Sequence, residues 1–152
     1  MDKTTMAKFA MPDDLVLLVG RLLLAWIFVH EGFSLAMNFD AASSSMAKLG
    51  VPASALMATI ALQLIAGIAI AVGWYAQLGA AALGMFCLAT AMLFHTNFAV
   101  RNELLHFEKD LAVAGGMFVL MVRGAGRWSV DSLRRRKSAA SALADALSAL
   151  TH

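Results

Sequence analysis

Few residues in this chain can do chemistry, and most of them stand in apolar surroundings. His30 and Glu31 lie side by side in FVHEGF, near the end of an apolar run from Leu15 to Met37 whose only other ionisable residue is Arg21. His95 closes another apolar run. Glu103, His106 and Asp110 follow at i, i+3 and i+7, one stripe of one helix. Imidazoles and carboxylates grouped in this way can exchange protons or hold the polar head of a ligand. An ionisable group at membrane depth is by default a functional-site hypothesis. Glu31, His95, Glu103, His106 and His30 are therefore the candidate ligand-binding residues. Arg21, Gln63, Lys109, Asp110 and Asp131 read as structural polar groups. Arg21 is deep enough to need a partner, and Tyr75, Asp13, Asp14 and Asp131 are within reach. Gln63, near the bilayer middle and in line with Thr59 and Gly67, reads as an interhelical hydrogen bond.

Several chemistries are poorly supported. Glu103-x-x-His106 is half of a bundle di-metal pattern, which requires two such pairs and two further carboxylates. His30, His95 and His106 show no defined ligand spacing, so neither haem nor a metal is expected. Cys87 is the only cysteine, which excludes an internal disulfide and a cysteine zinc cluster. It reads as a small apolar residue inside a helix. The ten methionines are dispersed and read as packing or lipid-facing residues rather than copper ligands. A Gly-rich phosphate loop, a nucleophile elbow and a Cys-x-x-Cys motif are all missing.

The elements that must position these groups follow from composition. Apolar residues make up 61% of the 152 and charged residues 14%, against about 45–50% and about 25% in ordinary globular chains. Lipid is the natural solvent for that excess. No run alternates with period two, so helices rather than a barrel are expected. The expectation is an all-α, four-helix transmembrane bundle over residues 1–137, with helices at about 15–37, 53–73, 76–96 and 103–123. A tail at 138–152 follows, either a short amphipathic helix on Leu143, Leu147 and Leu150 or disordered. The first three runs are long enough to cross a hydrocarbon core, which takes about 20 helical residues. The fourth does so only if it starts near Asn102 or Glu103. The first run is longer than a signal-peptide core and leads into no cleavage site, so it is expected to remain.

Arg123, Arg127, Arg134, Arg135, Arg136 and Lys137 follow the fourth run, and Lys3 and Lys8 precede the first. The positive-inside rule then places both termini in the cytoplasm. The basic tail reads as an anchor on anionic lipid, not as a nucleic-acid site. His30 lies about 13 Å along the axis from Arg21, near the outer end. On this topology Glu31, His95, Glu103, His106 and Asp110 reach the same end, whereas the middle holds only Gln63. His30 and Glu31 point about 100° apart, so both cannot face the bundle axis squarely. His95 shares a face with Ala91, Leu88, Gly84 and Gln77, a small-residue face suited to helix packing.

The chain resembles the DoxX family of small four-helix membrane proteins. The matching segments are RLLLAWIFVHEGF, LGVPASALMATIALQLIAGIAIAVGW, AALGMFCLATAMLFHTNF and EKDLAVAGGMFVLMVRGAGRWSVDSL, in that order. They cover about Leu15 to Leu133. The resemblance implies a bundle in the bacterial cytoplasmic membrane and a link to redox chemistry. One family member is described as a subunit of a thiosulfate:quinone oxidoreductase, and another as a membrane partner in an oxidative-stress complex. Arg21, Gly32, His95, Lys109, Ser129 and Asp131 match the family pattern. Leu35 stands where a lysine is frequent, and Gln63 where a glutamate is usual.

The functional expectation is a subunit or partner of a quinone-linked membrane redox system. His95 would donate a hydrogen bond to a quinone carbonyl, and Glu31 or Glu103 would exchange the coupled proton. Electrons must come from a partner redox protein, since no intrinsic carrier is present. The rival expectations are a structural or assembly subunit, in a hetero-complex or homo-oligomer, and a small-solute binding or transport protein. Four helices without an internal repeat make a poor alternating-access machine.

Overall fold

The computed structural model describes residues 13–95 and 97–150, with the side chains of 143–147 and 149–150 left out. Lys3 and Lys8 thus lie outside what is described, as do the side chains of the leucine stripe Leu143, Leu147 and Leu150. Among the described residues the chain is all-helical, with no strand. Its helices are α1 (Asp13–Met37), α2 (Phe39–Ala47), α3 (Ala53–Val72), α4 (Ala76–Phe94), α5 (Arg101–Arg123) and α6 (Val130–Leu150).

Helices α1, α3 and α4 are long and apolar enough to cross a membrane. Helix α5 has the length, at 23 residues. Its first half, however, carries Arg101, Glu103, Glu108, Lys109 and Asp110, so apolar character is confined to its second half. Two differences from the sequence reading concern the connections. The Asn38–Pro52 link contains the helix α2, with the Asn38 amide donating to the Ser34 carbonyl at 2.9 Å as the chain turns. The final helix starts at Val130, well before residue 138.

Local chemistry sets the ends. Asp13 and Asp14 occupy the first turn of α1, where negative charge meets the positive end of the helix dipole. Helix α3 stops at Gly73, in the left-handed region at φ 73°. There the Gly73 N–H donates to Ile70 O and the Trp74 N–H to Ala69 O, at 3.0 and 2.8 Å. These paired bonds satisfy the last carbonyls of the helix.

Helices α4 and α5 pack most extensively, followed by α1 with α3 and α3 with α4. The core between them contains Ala25, Phe28, Ala66, Ile70, Ala80, Leu83, Cys87, Ala114, Met117 and Leu120. Small residues let the backbones approach, as expected where lipid supplies no hydrophobic drive between helices. A Cβ on Gly67 would lie 2.9 Å from Val29 Cγ2, and one on Gly84 3.0 Å from the Phe118 ring. The outside is the reverse of a soluble domain: Leu23, Trp26, Ile65, Met92, Leu93 and Val122 are all exposed. A band of large apolar side chains facing outward is what a lipid environment stabilises.

Candidate functional site

At the end of the bundle where α1 and α4 finish and α5 begins, the helices part around a cavity of about 560 Å³. Its walls come from α1, α3, α4 and α5, and its mouth from Met46 of α2 and the Leu49–Val51 turn. Glu31, Gln63, His95, Glu103, His106, Lys109 and Asp110 all line it. His30 does not; its ring lies against Trp26, one turn back on α1, at 5.9 Å. The pair that sequence could not separate is thus divided, with Glu31 at the cavity and His30 on the outer surface of α1.

His95 sits just past the last turn of α4, its N–H donating to the Ala91 carbonyl at 3.2 Å. Its Nδ1 lies 2.9 Å from Glu103 Oε2. A carboxylate can only accept, so Nδ1 carries the hydrogen, and in the neutral ring Nε2 is left as an acceptor. A neutral His95 therefore cannot donate to a quinone carbonyl while it holds Glu103. The donating role assigned from sequence is open only to its protonated form. His106 stacks on His95 with ring centroids 5.1 Å apart. Lys109 Nζ approaches His106 Nδ1 at 3.5 Å. An ammonium has only hydrogens to offer, so His106 Nδ1 accepts and Nε2 carries the N–H. Two stacked imidazoles thus present one acceptor and one donor.

Deeper on α5, Asp110 Oδ2 lies 3.1 Å from Thr90 Oγ1. The same hydroxyl is 3.1 Å from the Phe86 carbonyl and 3.0 Å from the Cys87 carbonyl. The Phe86 and Cys87 carbonyls already accept the helical N–H groups four residues on, so the single hydroxyl hydrogen is free to go to Asp110. Lys109 Nζ lies 3.9 Å from Asp110 Oδ1. Sequence reading passed over Thr90, because a threonine in an apolar helix normally bonds only its own backbone. Its meeting with Asp110 depends on the register of α4 against α5.

Below the polar end the walls are Ile27, Phe28, Phe86, Cys87 and Val113. Gln63 projects among them, 5% exposed, and its Oε1 has no hydrogen-bond partner. The interhelical bond expected for that oxygen is not formed. An unsatisfied buried amide oxygen costs about 1–3 kcal/mol, so the position favours a ligand or water with a hydrogen to give. Gly32 faces Gln63 across the α1–α3 contact, where an added Cβ would come within 3.1 Å of Gln63 Cβ. Among the described residues, no group of three or more His, Cys, Asp or Glu side chains is arranged to hold a metal ion.

Comparison with known proteins locates this architecture. The DoxX family model matches residues 16–96. The chain is 34% identical to the inner membrane protein YqjF of Escherichia coli (strain K12) over 125 residues, covering 82% of this chain and 96% of that one. It is 32% identical to the inner membrane protein YphA of the same organism over 130 residues, covering 81% and 93%. The chain belongs to the DoxX family. It is an integral inner-membrane protein of that family. No solved structure matches it. The family model ends at Thr96, so α1, α3 and α4 carry the membership, while Glu103, His106 and Asp110 lie beyond the matched segment.

At the opposite end of this DoxX protein the polar groups serve the chain itself. Arg21, 2% exposed, donates to the carbonyls of Ala125 and Trp128 at 2.6 and 3.0 Å. Its hydrogen-bond partners are thus carbonyls of the α5–α6 link and not Tyr75 or the carboxylates expected. Asp131 accepts from the N–H groups of Tyr75 and Ala76 at 3.0 and 3.3 Å, capping α4 from a distant segment. Neither residue reaches the cavity.

Proposed function

We propose that this protein binds a quinone or a similar small redox-active ligand in the cavity between α1, α3, α4 and α5, as a subunit or partner of a membrane redox system. The observation that carries the reading is the unpartnered Gln63 oxygen, which can accept from a hydroxyl of the ligand's reduced, quinol form, inside an apolar pocket whose other end is lined by paired ionisable groups. Ligand pockets commonly combine apolar walls with a few convergent polar groups, in volumes of roughly 300–1,000 Å³. A quinone supplies the redox chemistry when bound; the chain's own residues hold and orient it. His106 Nε2–H can donate to a carbonyl. His95 Nε2 can take a proton from a hydroxyl, with Glu103 stabilising the resulting imidazolium through Nδ1. Glu31, exposed at the mouth, is suited to pass that proton to water. Electrons go to or come from a redox centre on a partner protein. A purely structural subunit would satisfy its own polar groups, as His95 with Glu103 partly does. The unsatisfied Gln63 oxygen weighs against that reading.

The topology that fits is four spans with both termini cytoplasmic and the cavity towards the periplasm. Helix α5 would cross on its apolar half, its charged half turned partly to the cavity. The basic residues Arg123, Arg127 and Arg134 to Lys137 gather at the other end, as the positive-inside rule requires.

Purified protein in nanodiscs, titrated with a short-chain quinone, tests the function. His95→Ala and Glu31→Gln should leave the bundle assembled and weaken binding or proton exchange. Native-like ligand and partner binding in both variants would replace this reading with the structural-subunit one.

A further inference from the structure

A second recess, of about 410 Å³, lies at the far end of the molecule, between the first turn of α4, the end of α5 and the start of α6. Arg123, Arg134 and Arg135 line it, together with Tyr75, Gln77, Leu78 and Asp131. We propose that this recess is a binding site for the phosphate of an anionic phospholipid.

Charge is the first reason. Asp131 is the only carboxylate in the lining, and its two oxygens already accept the Tyr75 and Ala76 N–H groups. The N-terminus of α4 is thereby capped and contributes no free donors from those two positions. Among the described residues, none of the three arginines forms an ion pair within 4.0 Å. Three guanidiniums around one concavity repel each other unless an anion joins them.

Pre-organisation is the second. The Arg134 guanidinium lies over the Tyr75 ring, 5.4 Å from its centroid. Tyr75 itself adopts φ 46°, the only non-glycine residue in the left-handed region among those described. That conformation is costly for a residue with a Cβ. It is held by the Asp131 cap on the Tyr75 N–H, and it places the ring beneath Arg134. A planar guanidinium fixed in this way matches a phosphate's oxygens in paired hydrogen bonds, which an ammonium cannot do.

Position is the third and selects a lipid over a soluble anion. The recess lies where the membrane-capable helix α4 begins, and Trp74, Tyr75 and Leu78 are exposed around it. Trp and Tyr are enriched at headgroup level, and Leu78 offers an apolar surface to an acyl chain. Basic pockets between helices at this level bind anionic headgroups. A topology anchor made only of positive charge would need neither the recess nor the stacked guanidinium.

The test uses the full chain reconstituted in phosphatidylcholine with a minor fraction of phosphatidylglycerol, followed by native mass spectrometry of the retained lipid. The native protein should retain phosphatidylglycerol in preference to phosphatidylcholine. Arg134→Gln with Arg135→Gln should weaken that retention at least tenfold, about what two lost charge contacts at the membrane surface are worth. Arg134→Lys with Arg135→Lys keeps the charge and should still lose most of the preference. Native-like retention in the lysine variant overturns the proposal in favour of a diffuse electrostatic anchor, even if the glutamine variant fails to fold. A third arm adds inorganic phosphate to protein in phosphatidylcholine with and without the phosphatidylglycerol fraction. Stable phosphate binding there, with displacement of phosphatidylglycerol, would overturn the lipid assignment in favour of a soluble phosphate.

Discussion

Arg21→Leu should destabilise the folded chain by roughly 2–4 kcal/mol. The side chain is 2% exposed and donates to the Ala125 and Trp128 carbonyls across more than a hundred residues of sequence. A hydrogen bond from a charged group contributes about 1.5–3 kcal/mol, and losing it leaves the buried Ala125 carbonyl without this donor. Part of that loss is offset, because the burial cost of the guanidinium also disappears and its unpartnered Nε with it. For a chain of this length the net change corresponds to roughly 6–12 °C in unfolding midpoint. Thermal unfolding of purified variants in one detergent measures it. Arg21→Lys supplies an internal control. A single ammonium on a shorter reach cannot serve both carbonyls in the same geometry, so it should recover only part of the loss. Ligand binding per folded molecule should be unchanged in both variants, since Arg21 is outside the cavity. A midpoint shift below ~2 °C for Arg21→Leu, or normal yield with selective loss of ligand binding, would refute the clamp.

Gly73→Ala should be damaging for a related reason. The new Cβ would fall 2.5 Å from Ser129 Cβ and 2.7 Å from Arg21 Nη1, at a backbone φ of 73°. Left-handed strain and overpacking together should cost roughly 2–4 kcal/mol. Combined with Arg21→Leu the loss should be less than additive, because one clash partner is gone; strict additivity in the same unfolding assay would contradict the shared contact. Reporter fusions after His152 and within Asn38–Pro52 should place the first in the cytoplasm and the second in the periplasm. A periplasmic signal from the C-terminal fusion would invert the proposed orientation.

The three apolar helices α1, α3 and α4 were legible in the sequence because apolar runs bounded by Gly, Pro and charge leave little choice in lipid. The limits are equally physical. AASSSMAKLG reads as a loop by composition, yet Phe39–Ala47 is helical, with the Ser44 hydroxyl donating to the Asp40 carbonyl inside it. The stripe Glu103, His106 and Asp110 was legible from helix phase, and all three line one cavity. Which of His30 and Glu31 faces inward was not, because phase gives their separation but not the rotation of α1. The pairing of His95 with Glu103 joins the end of one helix to the start of the next, so proximity was foreseeable and the nitrogen involved was not. Thr90 with Asp110, and the carbonyl partners of Arg21, depend on how separate segments dock, which periodicity does not encode. Gln63 was visible as a polar residue at mid-run; that its oxygen faces an apolar pocket without a partner needed the packed walls around it.

Ala55 offers the most direct test of the cavity as a ligand site. It lines the mouth, is half-buried, and takes part in none of the polar contacts of the cluster. Ala55→Trp should fill the entrance and leave His95, Glu103, His106 and Gln63 chemically intact. Equilibrium binding of a radiolabelled short-chain quinone to native and Ala55→Trp protein in nanodiscs is the decisive comparison. The account predicts saturable binding of one quinone per native chain and its loss in the variant, with the two proteins equally folded. Non-saturable partitioning in the native protein, or undiminished binding in Ala55→Trp, would contradict it.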